Sequence, residues 1–209
     1  MHQEQKRDFD AAAANWDQEP RRVKLAQDVV AAIRRELPLH GRMEVLDYGC
    51  GSGLVTLGLQ PFIGKITGAD SSRGMLDVLA GKARERGVGN VATALLDLEH
   101  QQLDGSYDLI TSSMTMHHVK DVPALIASFV PALKEGGWLA LADLEAEDGR
   151  FHDDPTGVLH HGFAREFLVE EFSRNGLSDV RVVIAAAMEK PGANGEVRTY
   201  PVLLWLGRK

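Results

Sequence analysis

Apolar positions along the chain alternate between short continuous runs and longer segments with helical spacing. The short runs predict strands over residues 44–48, 65–70, 91–97, 107–113, 138–144, 180–188 and 199–206. The longer segments predict helices over residues 20–37, 53–60, 73–86, 123–134 and 165–175. Pro20 stands at a tolerated first-turn position and Pro38 closes the first helix.

The order of these elements predicts an α/β fold. Strand–helix alternation over the first five strands is typical of a doubly wound parallel sheet. The last two strands have only a short connection, PGANGE, so we expect them to be antiparallel. A length of 209 residues fits one domain spanning 1–209. The long loop over 145–162 predicts a lid-like segment.

Composition narrows the class of protein. The formal net charge is -7, and an acidic surface repels phosphate backbones, so we expect no nucleic-acid partner. No apolar stretch is long enough for a membrane span, and the polar N-terminus shows no secretory signal. The single cysteine, Cys50, allows no internal disulfide. These features favour a cytoplasmic enzyme or binding protein.

The first predicted strand runs directly into a glycine-rich turn, VLDYGCGSG, over residues 45–53. Glycines at the carboxyl end of a parallel strand let the backbone approach a ligand closely. The dinucleotide fingerprint needs glycine or alanine where this chain has Leu54. The carboxylate of Asp47, two residues before the first glycine, would repel a pyrophosphate. The turn therefore favours a ligand with a cationic amino group.

A second carboxylate, Asp70, ends the next predicted strand about 20 residues after the glycines, with Ser71 beside it. A carboxylate at this place can accept hydrogen bonds from both hydroxyls of a ribose. Nicotinamide and adenosyl cofactors share this feature, so it predicts a nucleoside without choosing between them.

The pattern D-x-G-x-G-x-G over 47–53 resembles the first motif of the class I S-adenosylmethionine-dependent methyltransferases of small-molecule type. The stretch FDAAAANWD over 9–17 and the Gly136-Gly137 pair are similar to further stretches of that family. The resemblance implies a Rossmann-like fold of seven mostly parallel strands, with an antiparallel last strand between the fifth and sixth. It also implies S-adenosylmethionine as cofactor and a small-molecule methyl acceptor.

The resemblance further implies which residues meet the cofactor. Asp97 would meet the adenine amine with Leu98 on the ring face, and Met75 would pack on the other face or simply in the core. Trp16, in an N-terminal helical lid over 1–38, would exclude water from the sulfonium. The full predicted set is Trp16, Asp47, Gly49, Cys50, Gly51, Gly53, Asp70, Ser71, Met75, Asp97, Leu98 and Ser113.

Histidines follow the fourth strand and recur in the long loop. His117 is the one expected to face the acceptor pocket, and His161 lies near the pocket in related small-molecule methyltransferases. These two are the candidates for orienting the acceptor or acting as a general base, with His152 and His160 as further candidates. No second cluster stands at ligand spacing, so we expect no metal.

Two other functions stay open at this point. A nicotinamide-dependent oxidoreductase would share the sheet, but Leu54, Asp47 and the terminal antiparallel pair weigh against it. A non-catalytic protein that binds S-adenosylmethionine or S-adenosylhomocysteine would keep the same turn, because methyl transfer requires no invariant catalytic residue. No large inserted domain is present to grip a macromolecule, which favours a small acceptor.

Overall fold

A computed structural model describes residues 7–98, 100–191 and 196–209. Its strands are β1 Glu44–Tyr48, β2 Lys65–Asp70, β3 Val91–Leu95, β4 Tyr107–Ser113, β5 Leu133–Leu144, β6 Ser178–Pro191 and β7 Val197–Arg208. They form one sheet in the order β3-β2-β1-β4-β5-β7-β6. Strands β1 to β5 are parallel, and β7 runs antiparallel to both of its neighbours. The predicted sheet, with the last strand inserted beside the fifth, is confirmed.

The helices are α1 Phe9–Ala12, α2 Pro20–Glu36, α3 Leu54–Leu59, α4 Arg73–Glu85, α5 Val122–Ala132 and α6 Arg165–Arg174. Short 3-10 segments lie at Ala13–Gln18, Gln60–Phe62 and Met116–His118. Four residues of the predicted PGANGE turn, 192–195, lie outside the described part of the chain. Among the described residues, no helix is long and apolar enough to cross a membrane.

Alternate residues of each central strand contribute side chains to two separate hydrophobic cores, because successive side chains of a strand point to opposite faces of the sheet. Val45 joins a core with α2 and α3, whereas its neighbour Leu46 joins a core with α5 and α6. The same alternation holds in β7, where Leu204 and Trp205 belong to opposite cores. Helices therefore cover both faces of the sheet, as a doubly wound fold requires.

The start of β5 differs from the sequence prediction. We expected a helix to residue 134 and a strand from 138, but α5 ends at Ala132 and β5 begins at Leu133, which pairs with Tyr107. The next pair in register is Leu109 with Trp138, so the intervening residues bulge. Gly136, with φ 75°, lies inside this bulge. The glycine pair thus shapes a strand irregularity, where we had placed the end of the helix.

The sheet order places β1 between β2 and β4. The chain leaves β1 toward β2 on one side and returns to β4 on the other. The carboxyl end of β1 is therefore a topological switch point, where open α/β sheets bind ligands. The glycine turn begins there, directly after Tyr48.

Candidate active site

A cavity of about 520 Å³ opens at the carboxyl ends of the parallel strands. Its walls come from the glycine turn, the N-terminal segment up to the first turns of α2, the segment after β4 and the loop over 145–162. One end contains Asp47, Asp70 and Asp97, which lie at or just after the carboxyl ends of β1, β2 and β3, and we call it the carboxylate end. The other contains His117, His118 and His152, and we call it the histidine end.

Glycine is required in the turn for two reasons. Gly49 has φ 66° and Gly53 has φ 84°, a left-handed backbone that other residues rarely adopt. A Cβ on Gly49 would lie 2.3 Å from Cγ2 of Thr115, and one on Gly53 would lie 2.3 Å from Cδ1 of Leu79. Gly53 therefore packs against α4 outside the cavity lining, whereas Gly49 and Gly51 line the cavity.

Asp47 is almost completely buried, with 1% of its surface exposed, yet it contributes to the cavity lining. Its Oδ2 accepts a hydrogen bond of 2.6 Å from the hydroxyl of Thr56. Burial raises the pKa of Asp47 to about 7, the Thr56 bond lowers it and the nearby charge of Asp70 raises it further. No cationic side chain pairs with Asp47 among the residues that the structure describes. The site thus holds a carboxylate whose charge a cationic ligand would stabilise.

Asp70, at the end of β2, ties the glycine turn to the next helix. One carboxylate oxygen accepts from the backbone N–H of Gly51 at 2.8 Å, and the other from that of Ser72 at 2.8 Å. Burial raises the pKa of Asp70, and these backbone hydrogen bonds oppose the rise. Each oxygen keeps a further lone pair, so the carboxylate can still accept hydrogen bonds from a ligand.

Most of the remaining predicted cofactor residues line the same cavity, namely Trp16, Cys50, Ser71, Met75, Asp97 and Ser113. Leu98 does not line it, since its side chain packs against the core beneath β4 and β5 and its N–H donates to the Tyr48 hydroxyl. Burial raises the pKa of the Cys50 thiol, which keeps it protonated and a poor nucleophile.

Two aspartates fasten the N-terminal segment across the carboxylate end. Oδ1 of Asp10 accepts from the hydroxyl of Ser72 at 2.5 Å and from the backbone N–H of Gly74 at 2.7 Å. Asp17 accepts from the hydroxyl of Ser52, within the glycine turn, and forms an ion pair of 2.6 Å with Lys82. The segment therefore spans from the glycine turn to α4.

Arg22 is a cavity residue that sequence reasoning missed. Its guanidinium lies 3.9 Å from the ring centroid of Trp16 and donates to the Trp16 carbonyl at 3.2 Å. No carboxylate within the described residues forms an ion pair with it, and burial lowers its pKa. Arg22 lies one helical turn before Leu25 and Ala26, which also line the cavity. This helical spacing places all three on one face of α2 and could have identified Arg22 from the sequence.

His117 is anchored from below by Asp143 on β5, a residue that the sequence analysis did not single out. The imidazole Nδ1 lies 2.8 Å from Oδ1 of Asp143, and the exposed fractions of the two side chains are 2% and 0%. Asp143 also accepts from the backbone N–H groups of His117 and Leu144. A carboxylate only accepts here, so Nδ1 carries the proton and the lone pair of Nε2 remains available.

Two further imidazoles pack against His117. The His118 and His152 ring centroids lie 4.2 Å and 4.8 Å from that of His117. His118 donates from Nδ1 to the Gly157 carbonyl at 2.7 Å, and Nε2 of His152 is buried with no partner. Burial lowers the pKa of each to about 4, so both are neutral at pH 7. Among the described residues, no group of three or more candidate ligands is arranged to hold a metal.

His161, the second catalytic candidate, lies outside the cavity lining. Its side chain is 55% exposed, with Nδ1 3.8 Å from Glu147. His160 turns inward and donates from Nε2 to the Val119 carbonyl at 2.9 Å. The structure thus brings His117 and His152 together at the cavity and places His160 and His161 elsewhere.

Comparison with known proteins identifies relatives of this chain. The profile of the methyltransferase domain family matches residues 18–182. Over 157 residues the chain is 31% identical to an uncharacterized methyltransferase of Schizosaccharomyces pombe, covering 68% of this chain and 55% of that protein. The chain spans about half the length of the curated relatives it matches.

Solved structures show the same fold at lower identity. The YcgJ protein of Bacillus subtilis superposes with a TM-score of 0.70 at 21% identity, covering 87% of this chain and 97% of that one. Phosphoethanolamine N-methyltransferase 2 of Haemonchus contortus, solved in complex with S-adenosylmethionine, superposes with a TM-score of 0.69 at 18% identity, covering 87% of this chain and 52% of that one. With the profile matching most of its length and its glycine turn at the switch point of this sheet, the chain belongs to the methyltransferase domain family and has the fold of the class I S-adenosylmethionine-dependent methyltransferases.

Proposed function

We propose that this protein transfers a methyl group from S-adenosylmethionine to a small-molecule acceptor. The observation that carries the proposal is a pair of unmatched charges in one cavity. Asp47 is a buried carboxylate with no cationic partner, and Arg22 is a half-buried guanidinium with no carboxylate partner among the described residues. The amino-acid end of the cofactor carries one cationic and one anionic group, so it complements both.

The residues at the carboxylate end fit the rest of the cofactor. Gly51 leaves open space beside the cavity, since a Cβ there would meet only Sδ of Met75, at 3.9 Å. We assign Asp70 to the ribose hydroxyls, Asp97 to the adenine amine, and Met75 to an adenine face. The N-terminal segment, held by Asp10 and by the ion pair of Asp17, would cover the bound cofactor and exclude water.

When bound, the cofactor supplies a methyl group attached to a sulfonium sulfur. The sulfur leaves as a neutral thioether, so no acid is needed to assist its departure. The protein's main contribution is then alignment. Holding an acceptor atom about 3–3.5 Å from the methyl carbon, in line with the breaking bond, contributes roughly 7–11 kcal/mol. The single cavity that joins the carboxylate end to the histidine end provides the space for that arrangement.

Calorimetric titration with S-adenosylhomocysteine, beside an identical titration with NAD, tests the proposal. We expect micromolar binding of the first and no heat with the second. Binding of NAD alone would overturn it. Transfer of labelled methyl from S-adenosylmethionine to an acceptor distinguishes an enzyme from a protein that only binds the cofactor.

A further inference from the structure

We infer that His117 accepts a proton from the methyl acceptor, that Asp143 positions its ring, and that the acceptor is a hydroxyl compound. The inference rests on the proposed methyl transfer and names the chemical class of its acceptor. It is carried by the geometry of the histidine end, where a buried imidazole–carboxylate pair lies against the cavity.

The His117–Asp143 pair fixes one tautomer. The 2.8 Å bond from Nδ1 to Oδ1 places the ring proton on Nδ1, and no described residue bonds to Nε2. Asp143 is itself held by two backbone N–H groups at 3.2 Å and 2.8 Å, so the carboxylate cannot rotate away from the ring. An imidazole oriented in this way accepts a proton at Nε2, and the adjacent carboxylate stabilises the resulting cation.

His152 supplies a second polar contact for the acceptor. Its Nε2 is buried without a partner, although it lies on a ring that lines the cavity. A buried polar nitrogen left unpaired is costly, and a ligand hydroxyl would satisfy it. His118 is already committed to Gly157, so it shapes the wall without offering its Nδ1 proton.

The charges at this end disfavour an ammonium acceptor. Beyond the carboxylate end, the carboxylates that line the cavity are already bonded within the protein: Glu19 to Arg21, Asp153 to Lys190, and Asp154 to the backbone N–H of Thr156. Arg7 adds positive charge to the cavity lining. A cationic amine would therefore compete with these existing partners for a carboxylate, whereas a neutral hydroxyl can bind to the neutral imidazoles.

A hydroxyl also explains why a base is present at all. Thiols ionise near pH 8.5, so many react without assistance, but phenolic hydroxyls have a pKa near 10 and need their proton removed. In the step, the acceptor O–H proton passes to Nε2 of His117 as the oxygen forms a bond to the methyl carbon. The carbon–sulfur bond breaks with its electron pair on sulfur, which leaves a neutral thioether and a protonated His117.

Several ionisable groups surround the His117 ring. Asp143 faces it from β5, His118 adjoins it in the same 3-10 segment, and His152 faces it from the loop. Lys190 acts on His152 and Arg7 on His118, both by lowering the pKa of the histidine. His118 and His152 are neutral at pH 7, so neither adds a positive charge beside the His117 ring.

The first experiment needs no acceptor. The protein labelled with nitrogen-15 in histidine, in complex with S-adenosylhomocysteine, is examined by long-range proton–nitrogen correlation at pH 7.5. We expect His117 with its proton on Nδ1, and loss of that tautomer preference in Asp143→Asn. A proton on Nε2 of His117 in the wild type would overturn the inference.

The second experiment presents matched acceptors with labelled S-adenosylmethionine: phenol, aniline and thiophenol, and the same three groups on naphthalene. We expect methylation of the hydroxyl members, with kcat lower by about 10²–10⁴-fold in His117→Gln and an unchanged KM for S-adenosylmethionine. His152→Gln should raise the acceptor KM instead. His40→Gln, an exposed histidine before β1, is the matched control.

Preferential methylation of an amine or thiol, or a His117→Gln variant within threefold of wild type, would show the inference to be wrong. If no probe is methylated, the nitrogen-15 spectrum decides alone. Binding of S-adenosylhomocysteine to the wild-type protein distinguishes a failure of the proposed function from a failure of this inference. If S-adenosylhomocysteine does not bind, the proposed function itself is contradicted. Retained binding together with amine methylation contradicts only the hydroxyl assignment.

Discussion

The two ends of the cavity are built in different ways. The carboxylate end is formed by the glycine turn, with glycines at 49 and 51, and by carboxylates at the ends of neighbouring parallel strands. The histidine end is formed by side chains from three different segments, namely the 3-10 turn after β4, strand β5 and the long loop. Asp143 lies 26 residues after His117, and His152 arrives on a separate loop.

This difference shows which part of such a site can change in sequence without disturbing the sheet. At the carboxylate end, each group is fixed by a strand end that the whole sheet holds in place. At the histidine end, a change in the loop over 145–162 would alter the wall without touching the sheet. The fold would thus keep cofactor binding constant while the proposed acceptor pocket remains free to change.

The largest effect should come from Gly49→Ala. The added Cβ would lie 2.3 Å from Thr115 in a backbone with φ 66°, so the turn must shift. We expect affinity for S-adenosylhomocysteine to fall by about 100-fold, equivalent to ~3 kcal/mol of strain. Gly87→Ala is the control, because it has φ 64° with nothing within 4 Å of the added carbon. Equal losses in both variants would show that backbone strain alone, and not the turn, is responsible.

Asp70→Ala should have the next largest effect on the carboxylate end. It removes the acceptor for the N–H groups of Gly51 and Ser72 as well as the proposed ribose contact. Calorimetry should show at least ~10-fold weaker binding of S-adenosylhomocysteine. Asp77→Ala, which removes an exposed carboxylate on the following helix α4, should bind as wild type does. An unchanged affinity in Asp70→Ala would remove this residue from the site.

Asp47 should make cofactor binding depend on pH. Its pKa is raised to about 7 in the free protein, and a cationic amino group nearby would lower it. A proton must therefore leave on binding, so affinity should rise by up to ~10-fold per pH unit below pH 7 and level off above it. Titrations in two buffers with different ionisation enthalpies measure the released proton. Its persistence in Asp47→Asn would assign it to another group.

Asp17→Asn should loosen the segment that covers the carboxylate end. The change weakens the ion pair with Lys82 but leaves Asp10 fastened to Ser72 and Gly74. We expect S-adenosylhomocysteine to dissociate about three- to fivefold faster in stopped-flow measurements, since one partly buried ion pair contributes only about 1 kcal/mol. Asp28→Asn, which breaks the exposed pair with Lys24, is the control. Identical rates in both would argue against a covering role.

His161→Gln should have the smallest effect. Its side chain is 55% exposed and lies outside the cavity lining. Both kcat and the KM for S-adenosylmethionine should stay within about twofold of wild type, as is usual for surface substitutions. A loss as large as that of His117→Gln would mean that the loop rearranges to bring His161 to the acceptor.

The sequence was most informative where structure is local. The bounds of β1, β2 and β4 agree with prediction, because each is a short run of largely buried or half-buried residues. The predicted cofactor residues at the strand ends, Asp47, Asp70 and Ser113, also line the cavity. Leu98, three residues after the end of β3, packs against the core instead.

The histidine end was less predictable because its geometry depends on tertiary hydrogen bonds. The backbone N–H groups of Leu159 and His160 both donate to the His117 carbonyl, which fixes the path of the long loop. No periodicity in residues 145–162 encodes that path. The role of Asp143 could not be predicted for a similar reason. A carboxylate within an apolar strand indicates that it has a buried partner, but the sequence does not identify that partner.

The insertion of β7 beside β5 has a consequence for the order in which the protein matures. Asp143 pairs in register with Leu203, about 60 residues later in the chain. During synthesis, the edge of β5 therefore stays open, with its apolar residues exposed, until β7 has emerged from the ribosome. The imidazole–carboxylate pair is enclosed only by this late event. A nascent chain could thus assemble the cofactor end first and gain its acceptor chemistry only as the last strand closes the sheet.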